Sequence, residues 1–255
     1  MCFSTDDRPP LPPIRGAALD TRDLVLTGAD GAPFAASSAR AADPSGAGIV
    51  IVPDVRGLHP YYEDLARRFA EAGVDAVALD PYGRTAGASK RDASFDYEPH
   101  VLQLDPEQVD GDVAAAATFL RSAEGGAPDR IHTIGFCLGG RISLLQARSG
   151  LGLAGVIGFY PWPVGPHRSG LPAPADEAPR FASPVLAVYG GADRGIPADA
   201  RDAFDRALDA AGIERRTVVY DDAPHSFFDR KATEYADASA DAWRQVLEFM
   251  RVVGP

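Results

Sequence analysis

Short apolar runs with no polar alternation recur along this chain, and they are separated by stretches of helical period. Gly48-Ile49-Val50-Ile51-Val52 is the first, followed by Val74 to Leu79, Gly155 to Tyr160 and Pro184 to Tyr189. A strand that lacks alternation is covered on both faces, and strands of this kind alternating with helices are the sequence form of βαβ units in a parallel sheet. Tyr62, Leu65, Ala66 and Phe69 recur at helical spacing and stop at Gly73. Val113 to Leu120 is a strong helix former, Arg130 to Phe136 a strand, and helix 198–211, strand 214–220 and a closing helix from about 234 to 252 continue the series. Upstream, Asp23 to Thr27 and Ala32 to Ala35 flank Gly28-Ala29-Asp30-Gly31, the pattern of two antiparallel strands around a tight turn. The expected fold is an open, mostly parallel, doubly wound α/β sheet of about eight strands with helices on both faces. One domain is expected over 21–255, preceded by a proline-rich lead-in over 1–20. There Pro9-Pro10-Leu11-Pro12-Pro13 reads as a stiff terminal segment rather than an adaptor ligand.

Charge and cysteine usage limit the partners. The 255 residues carry 25 basic and 36 acidic side chains, a formal net charge of −11. Binding to phosphate backbones or anionic lipid is dominated by Lys and Arg, so nucleic acid and membrane surfaces are not expected partners. With two cysteines, Cys2 and Cys137, there is no disulfide framework. The start lacks the basic and apolar regions of a signal peptide, so a cytoplasmic location is expected. The longest uncharged run, Leu151 to His167, is interrupted by Pro161, Pro163 and Pro166 and is too short to span a bilayer. A monomer or small homo-oligomer acting on a small molecule is expected.

Two aperiodic stretches, Arg84 to about Gln108 and Pro161 to Ser183, each follow a strand's C-terminal end, where open α/β sheets place their ligands. They are expected to roof a pocket. Between them lies Gly135-Phe136-Cys137-Leu138-Gly139-Gly140, set between an apolar strand and the helical stretch Arg141 to Arg148. A sharp strand-to-helix turn puts its central residue in a strained conformation, and flanking glycines remove the side chains that would clash there. The sulfur then sits at a helix N-terminus, whose dipole and free amides favour a thiolate.

A nucleophile at such an elbow needs a base and a group to orient it, in the chain order nucleophile, acid, histidine. Asp193 follows the strand 184–189 in Tyr189-Gly190-Gly191-Ala192-Asp193, and His225 follows the strand 214–220 in Asp222-Ala223-Pro224-His225-Ser226-Phe227. All three emerge at one sheet edge. His225 would take the thiol proton and Asp193 would hold the imidazole in the productive tautomer. Two donors must meet the developing oxyanion. The Leu138 amide is one, and Val55 in Pro53-Asp54-Val55-Arg56-Gly57 is the choice for the other, with Arg56 or Leu58 as alternatives.

These motifs, Gly-Phe-Cys-Leu-Gly-Gly with Gly-Gly-Ala-Asp and Pro-His-Ser-Phe, resemble the dienelactone hydrolase family, α/β-hydrolases with cysteine at the elbow, from Ile49 to the closing helix. The resemblance implies hydrolysis of a cyclic enol-lactone through an acyl-enzyme on Cys137, with Asp193 and His225. It also implies a thiol-activating carboxylate before the oxyanion donor, a position held here by Asp54, one methylene shorter than the usual Glu. Two arginines that hold a substrate carboxylate are implied as well. Arg84 matches the first. For the second, Asp229 stands where the arginine is expected and Arg230 follows one residue late, which points to a substrate other than the family's namesake.

Tyr82, Phe95, Tyr97, Tyr160 and Trp162 lie in or beside the roofing loops, where aromatics either line an acyl pocket or pack the loops down. His59, His100, His132 and His167 have no metal-ligand spacing, so a site working without metal or cofactor is expected. The reading is a hydrolase of a small lactone or carboxylic ester. Alternatives are a broader carboxylesterase or thioesterase with the same triad, and a low-turnover ligand-binding or thiol-sensing protein on that scaffold.

Overall fold

The structure, a computed structural model, describes Pro9 and residues 20–252. Apart from Pro9 and Asp20, the proline-rich lead-in lies outside the described residues. The chain opens with an antiparallel hairpin, β1 (Asp20–Thr27) and β2 (Pro33–Arg40), in which Thr27 faces Pro33 across the turn and Asp20 faces Arg40 at the far end. Both strands run longer than the sequence pattern suggests, because pairing with a neighbour holds their polar ends in the ladder.

From there the elements run β3 (Ala47–Val52), α1 (Pro60–Glu71), β4 (Val74–Leu79), α2 (Gly83–Ala86), α3 (Glu98–Val101), α4 (Pro106–Arg121), β5 (Arg130–Phe136) and α5 (Leu138–Leu145). They continue with β6 (Gly155–Phe159), α6 (Pro174–Glu177), β7 (Val185–Gly190), α7 (Ala198–Ala210), β8 (Arg215–Tyr220) and α8 (Ala236–Val252). The eight strands form one sheet in the order β1-β2-β4-β3-β5-β6-β7-β8, parallel from β4 through β8 and antiparallel at the β1 and β2 end. This is the α/β-hydrolase architecture. β3, β4, β6 and β7 are buried at every residue; the runs of β3, β6 and β7 are unbroken apolar, and the one polar residue of β4, Asp75, accepts the Ala41 amide at 2.9 Å.

Helices cover both faces. Within β6, Gly158 faces Leu144 of α5 while Gly155, three residues earlier and so on the other side of the pleat, faces Phe249 of α8. α1 joins α8 through the rings of Phe69 and Trp243, 4.7 Å apart. The stretch 84–108 is more structured than its composition suggests. It contains α2 and α3, and α4 begins at Pro106 because Asp105 caps it, its side chain accepting from the amides of Glu107 and Gln108. Likewise 161–183 carries α6 and a 3₁₀ turn at Ala178–Arg180. Among the described residues no helix is long and apolar enough to cross a membrane.

Candidate active site

Cys137 sits between β5 and α5 with φ +54° and ψ −113°, a conformation that a residue with a Cβ adopts only under strain. Its amide donates to the Phe159 carbonyl at 3.0 Å, which fixes the bend against β6. The glycines on either side are required by close approach. A Cβ on Gly135 would lie 1.8 Å from the Gly139 carbonyl oxygen, and one on Gly139 would lie 2.2 Å from the carbonyl oxygens of Val52 and Pro53. α5 is thereby pressed onto the end of β3. Leu138 is the first residue of that helix, so its amide has no intrahelical acceptor and points from the positive end of the dipole.

Asp193 and His225 leave the ends of β7 and β8 and meet. The Asp193 carboxylate holds His225 Nδ1 at 2.6 Å with one oxygen, while the other accepts the Gly195 amide at 2.9 Å. Burial works against ionising Asp193, but the hydrogen bond and charge of His225 overcome it and hold the carboxyl below its usual range. Burial would also lower His225. Hydrogen bonds to Asp193 and to Cys137, with the negative charges of both, instead push it up to about 10. The Tyr160 ring lies 4.8 Å from the imidazole, centroid to centroid. Tyr160 itself is at φ +37° and Ser226 at φ +61°, so strained backbone flanks the histidine as well as the thiol.

The turn after β3 is held from below. Asp80 accepts the amides of Leu58 at 2.9 Å and Tyr82 at 3.1 Å, and Arg91 closes on the same carboxylate at 2.8 Å. The Arg56 amide donates to Asp54 at 2.9 Å. The amides of Arg56 and Leu58 are therefore engaged, which leaves Val55 as the open alternative among the three. The Tyr82 hydroxyl donates to the Val55 carbonyl at 3.0 Å. Tyr82 is buried and braces this turn, so of the two places open to the loop aromatics it takes packing and not the substrate contact.

Three charged residues expected at the site are engaged by other charged side chains. Arg84 places both arms in carboxylates, 2.7 Å from Asp30 and 2.6 Å from Asp112, so its guanidinium is tied to the β1–β2 turn and α4 rather than to a substrate. Asp54 is wrapped by Arg56, whose Nε lies 3.0 Å from each carboxylate oxygen. Arg230 reaches toward the same carboxylate, Nη2 3.8 Å from Oδ2. Asp229 is fully buried beside this group, 3.7 Å from Arg56, and burial with the neighbouring Asp54 charge raises its pKa. The charge expected at this position is thus reversed, and Arg56 supplies the cation from the opposite loop. Phe95 stacks on His100 at 5.0 Å and meets Tyr82 at 5.6 Å, packing its loop down.

A cavity of about 180 Å3 opens beside the thiol, lined by Cys137, Leu138, Tyr160, Trp162, Ile196 and His225 and closed by Arg141 and His167. Tyr160 and Trp162, proposed from the sequence as substrate contacts, are both in this lining. Arg141, Ile196 and His167 were not anticipated. Arg141 alone carried a signal, as the one charge in the otherwise apolar helix Leu138–Leu145. Its buried guanidinium donates to the carbonyls of Trp162, Gly165, Leu171 and Pro172 at 2.8–3.0 Å and straps the loop 161–172 over the cavity.

Residues 34–254 match the model of the dienelactone hydrolase family. The chain belongs to that family. A Methylorubrum extorquens protein named "putative carboxymethylenebutenolidase" is 32% identical over 209 residues, 81% of this chain and 72% of that protein. The carboxymethylenebutenolidase of Rhodococcus opacus is 27% identical over 256 residues, 98% of this chain and 96% of the relative. Among solved structures, a "Putative Dienelactone Hydrolase" from Klebsiella pneumoniae superposes with a TM-score of 0.81 at 28% identity, covering 92% of this chain and 99% of that one. The protein is a hydrolase of the dienelactone hydrolase type.

Proposed function

We propose that this hydrolase cleaves a small lactone or carboxylic ester through a thioester on Cys137, with His225 and Asp193 completing the triad. The observation that carries the reading is the strained elbow cysteine sharing one cavity wall with His225, whose Nδ1 lies 2.6 Å from the Asp193 carboxylate. With Nδ1 on Asp193, Nε2 is the nitrogen that serves the sulfur. The Cys137 thiolate attacks the substrate carbonyl carbon, and the π electrons move to oxygen, where the amides of Leu138 and Val55 meet them. Collapse re-forms the carbonyl and breaks the C–O bond. The departing oxygen takes the proton from His225 Nε2, and in a lactone it remains tethered to the acyl group. Water then gives a proton to Nε2 as it attacks the thioester, and the thiolate leaves with the electron pair of the C–S bond.

The small cavity suits one ring or a short chain, since it lies below the roughly 300 Å3 at which drug-sized pockets begin. A panel of lactones, aryl esters and thioesters tests the reading, with intact-mass spectrometry of quenched reactions. The expected result is an acyl adduct on Cys137 and loss of ~10³-fold or more in kcat/KM for Cys137→Ala. Turnover that persists in Cys137→Ala would refute the mechanism, and activity confined to thioesters would move the substrate class.

A further inference from the structure

We infer that His167 is a specificity determinant of this site, donating its Nε2–H to a carbonyl or carboxylate oxygen that the substrate carries beyond the scissile carbonyl. The inference rests on the cleavage chemistry proposed above and adds the class of substrate.

His167 stands on the loop that Arg141 straps down, and it lines the same cavity as Cys137 and His225. The Ser169 amide donates to His167 Nδ1 at 3.2 Å, and Ser169 Oγ lies 2.7 Å from the same nitrogen. A ring nitrogen that accepts an amide hydrogen carries none of its own, so the hydrogen of the neutral imidazole resides on Nε2. Burial, reinforced by the positive charges of Arg141 and Arg168, brings the ring's pKa down to about 4 and keeps it neutral around pH 7. Among the described residues Nε2 has no hydrogen-bond partner, and it is not sealed away from solvent. The rest of the wall is largely apolar, made by Leu138, Tyr160, Trp162 and Ile196.

The arginines around the site do not compete for this role. Arg84 and Arg91 are paired with aspartates, Arg56 and Arg230 share Asp54, Arg168 pairs with Glu98, and Arg141 directs its donors at four backbone carbonyls. The subsite therefore offers a fixed neutral donor instead of an ion-pairing fork. Such a donor accepts a ketone oxygen as readily as a carboxylate, and it disfavours an isostere that leaves it unpaired.

The test compares para-nitrophenyl levulinate, whose acyl chain carries a ketone, with para-nitrophenyl pentanoate and para-nitrophenyl hemisuccinate, on wild type, His167→Phe, His167→Ala and His167→Gln. Wild type should prefer levulinate over pentanoate in kcat/KM. His167→Phe and His167→Ala should cut that preference by roughly three- to tenfold, the range of one neutral hydrogen bond. His167→Gln, whose amide keeps a donor, should restore part of it. The Ala and Gln variants keep the comparison readable if the Phe variant does not fold. A levulinate preference unchanged across the variants overturns the inference. So does a hemisuccinate preference that survives His167→Phe, which would point to a cation. Cys137→Ala separates the two levels: hydrolysis independent of Cys137 sinks the cleavage chemistry, whereas Cys137-dependent hydrolysis with an unmoved preference sinks the role of His167 alone.

Discussion

Arg56 grips the carboxylate of Asp54, with Nε 3.0 Å from both oxygens, Nη2 3.0 Å from Oδ2 and the Arg56 amide 2.9 Å from Oδ1. A carboxylate held in this way has little freedom to serve a neighbouring thiol, and both partners are almost fully buried. Its place in the chain suggests an activator of Cys137; its surroundings make it the counter-charge of a buried arginine.

The Asp54→Asn variant separates these roles. Its pH profile for Cys137 alkylation by iodoacetamide should superimpose on that of the wild type. Its unfolding free energy should fall by about 3 kcal/mol, the scale of breaking a buried ion pair so that one charge is left uncompensated. A displaced alkylation profile would return Asp54 to the thiol.

The pH behaviour of His225 follows from its partners. Burial favours the neutral ring, but hydrogen bonds to Asp193 and Cys137 raise its pKa from the ordinary 6.5 to about 10. The folded chain therefore holds this proton more tightly than the unfolded one. The stabilisation is fully present below pH ~6.5 and is lost as pH rises through about 10. NMR titration of the ring should show its charge persisting past pH 8 in the wild type. The midpoint should fall in Cys137→Ala, which removes one of the two partners. A wild-type midpoint near the ordinary imidazole value would contradict the arrangement.

Arg141 is the strap of the pocket roof. Replacing it by Met leaves the carbonyls of Trp162, Gly165, Leu171 and Pro172 without their donor while keeping much of the buried volume. Each hydrogen bond to a charged donor contributes on the order of 1.5–3 kcal/mol and the four share one side chain, so a loss of about 3–5 kcal/mol is expected. Limited proteolysis should then cut between Trp162 and Pro172 in Arg141→Met and not in the wild type, and KM should rise more than kcat falls. Equal protease resistance of the two proteins would show that the loop is held by something else.

Much of the fold is written locally. Residues 48–52 and 184–189 announce buried parallel strands because no polar residue interrupts them, and the pattern needs no knowledge of what lies alongside. The elbow is equally local, since six residues encode the bend, the strain and the helix that begins beyond it. Asp193 and His225 are legible because each occupies the turn immediately after a strand, and parallel strands deliver such turns to a common edge. Helix 106–121 extends well before the strongly helical run 113–120, because Asp105 caps it and Pro106 fits its first position.

The charged and aromatic residues around that edge were not legible in the same way. Arg84 lies in the loop where a substrate-binding arginine is expected, but Asp30 and Asp112, from separate elements, lie within 3 Å of its guanidinium. Tyr82, which the sequence allows either against substrate or packed within its loop, braces the Val55 turn. The sequence by itself determined the sheet, the position of the bend and the three residues that emerge beside it, because each depends on neighbours in the chain. The tertiary structure decided which carboxylates the cations pair with, which loop closes the cavity and which nitrogen of His167 meets Ser169. A buried charge pairs with whichever opposite charge or carbonyl the fold brings within reach, and that partner is set by packing rather than by position in the chain.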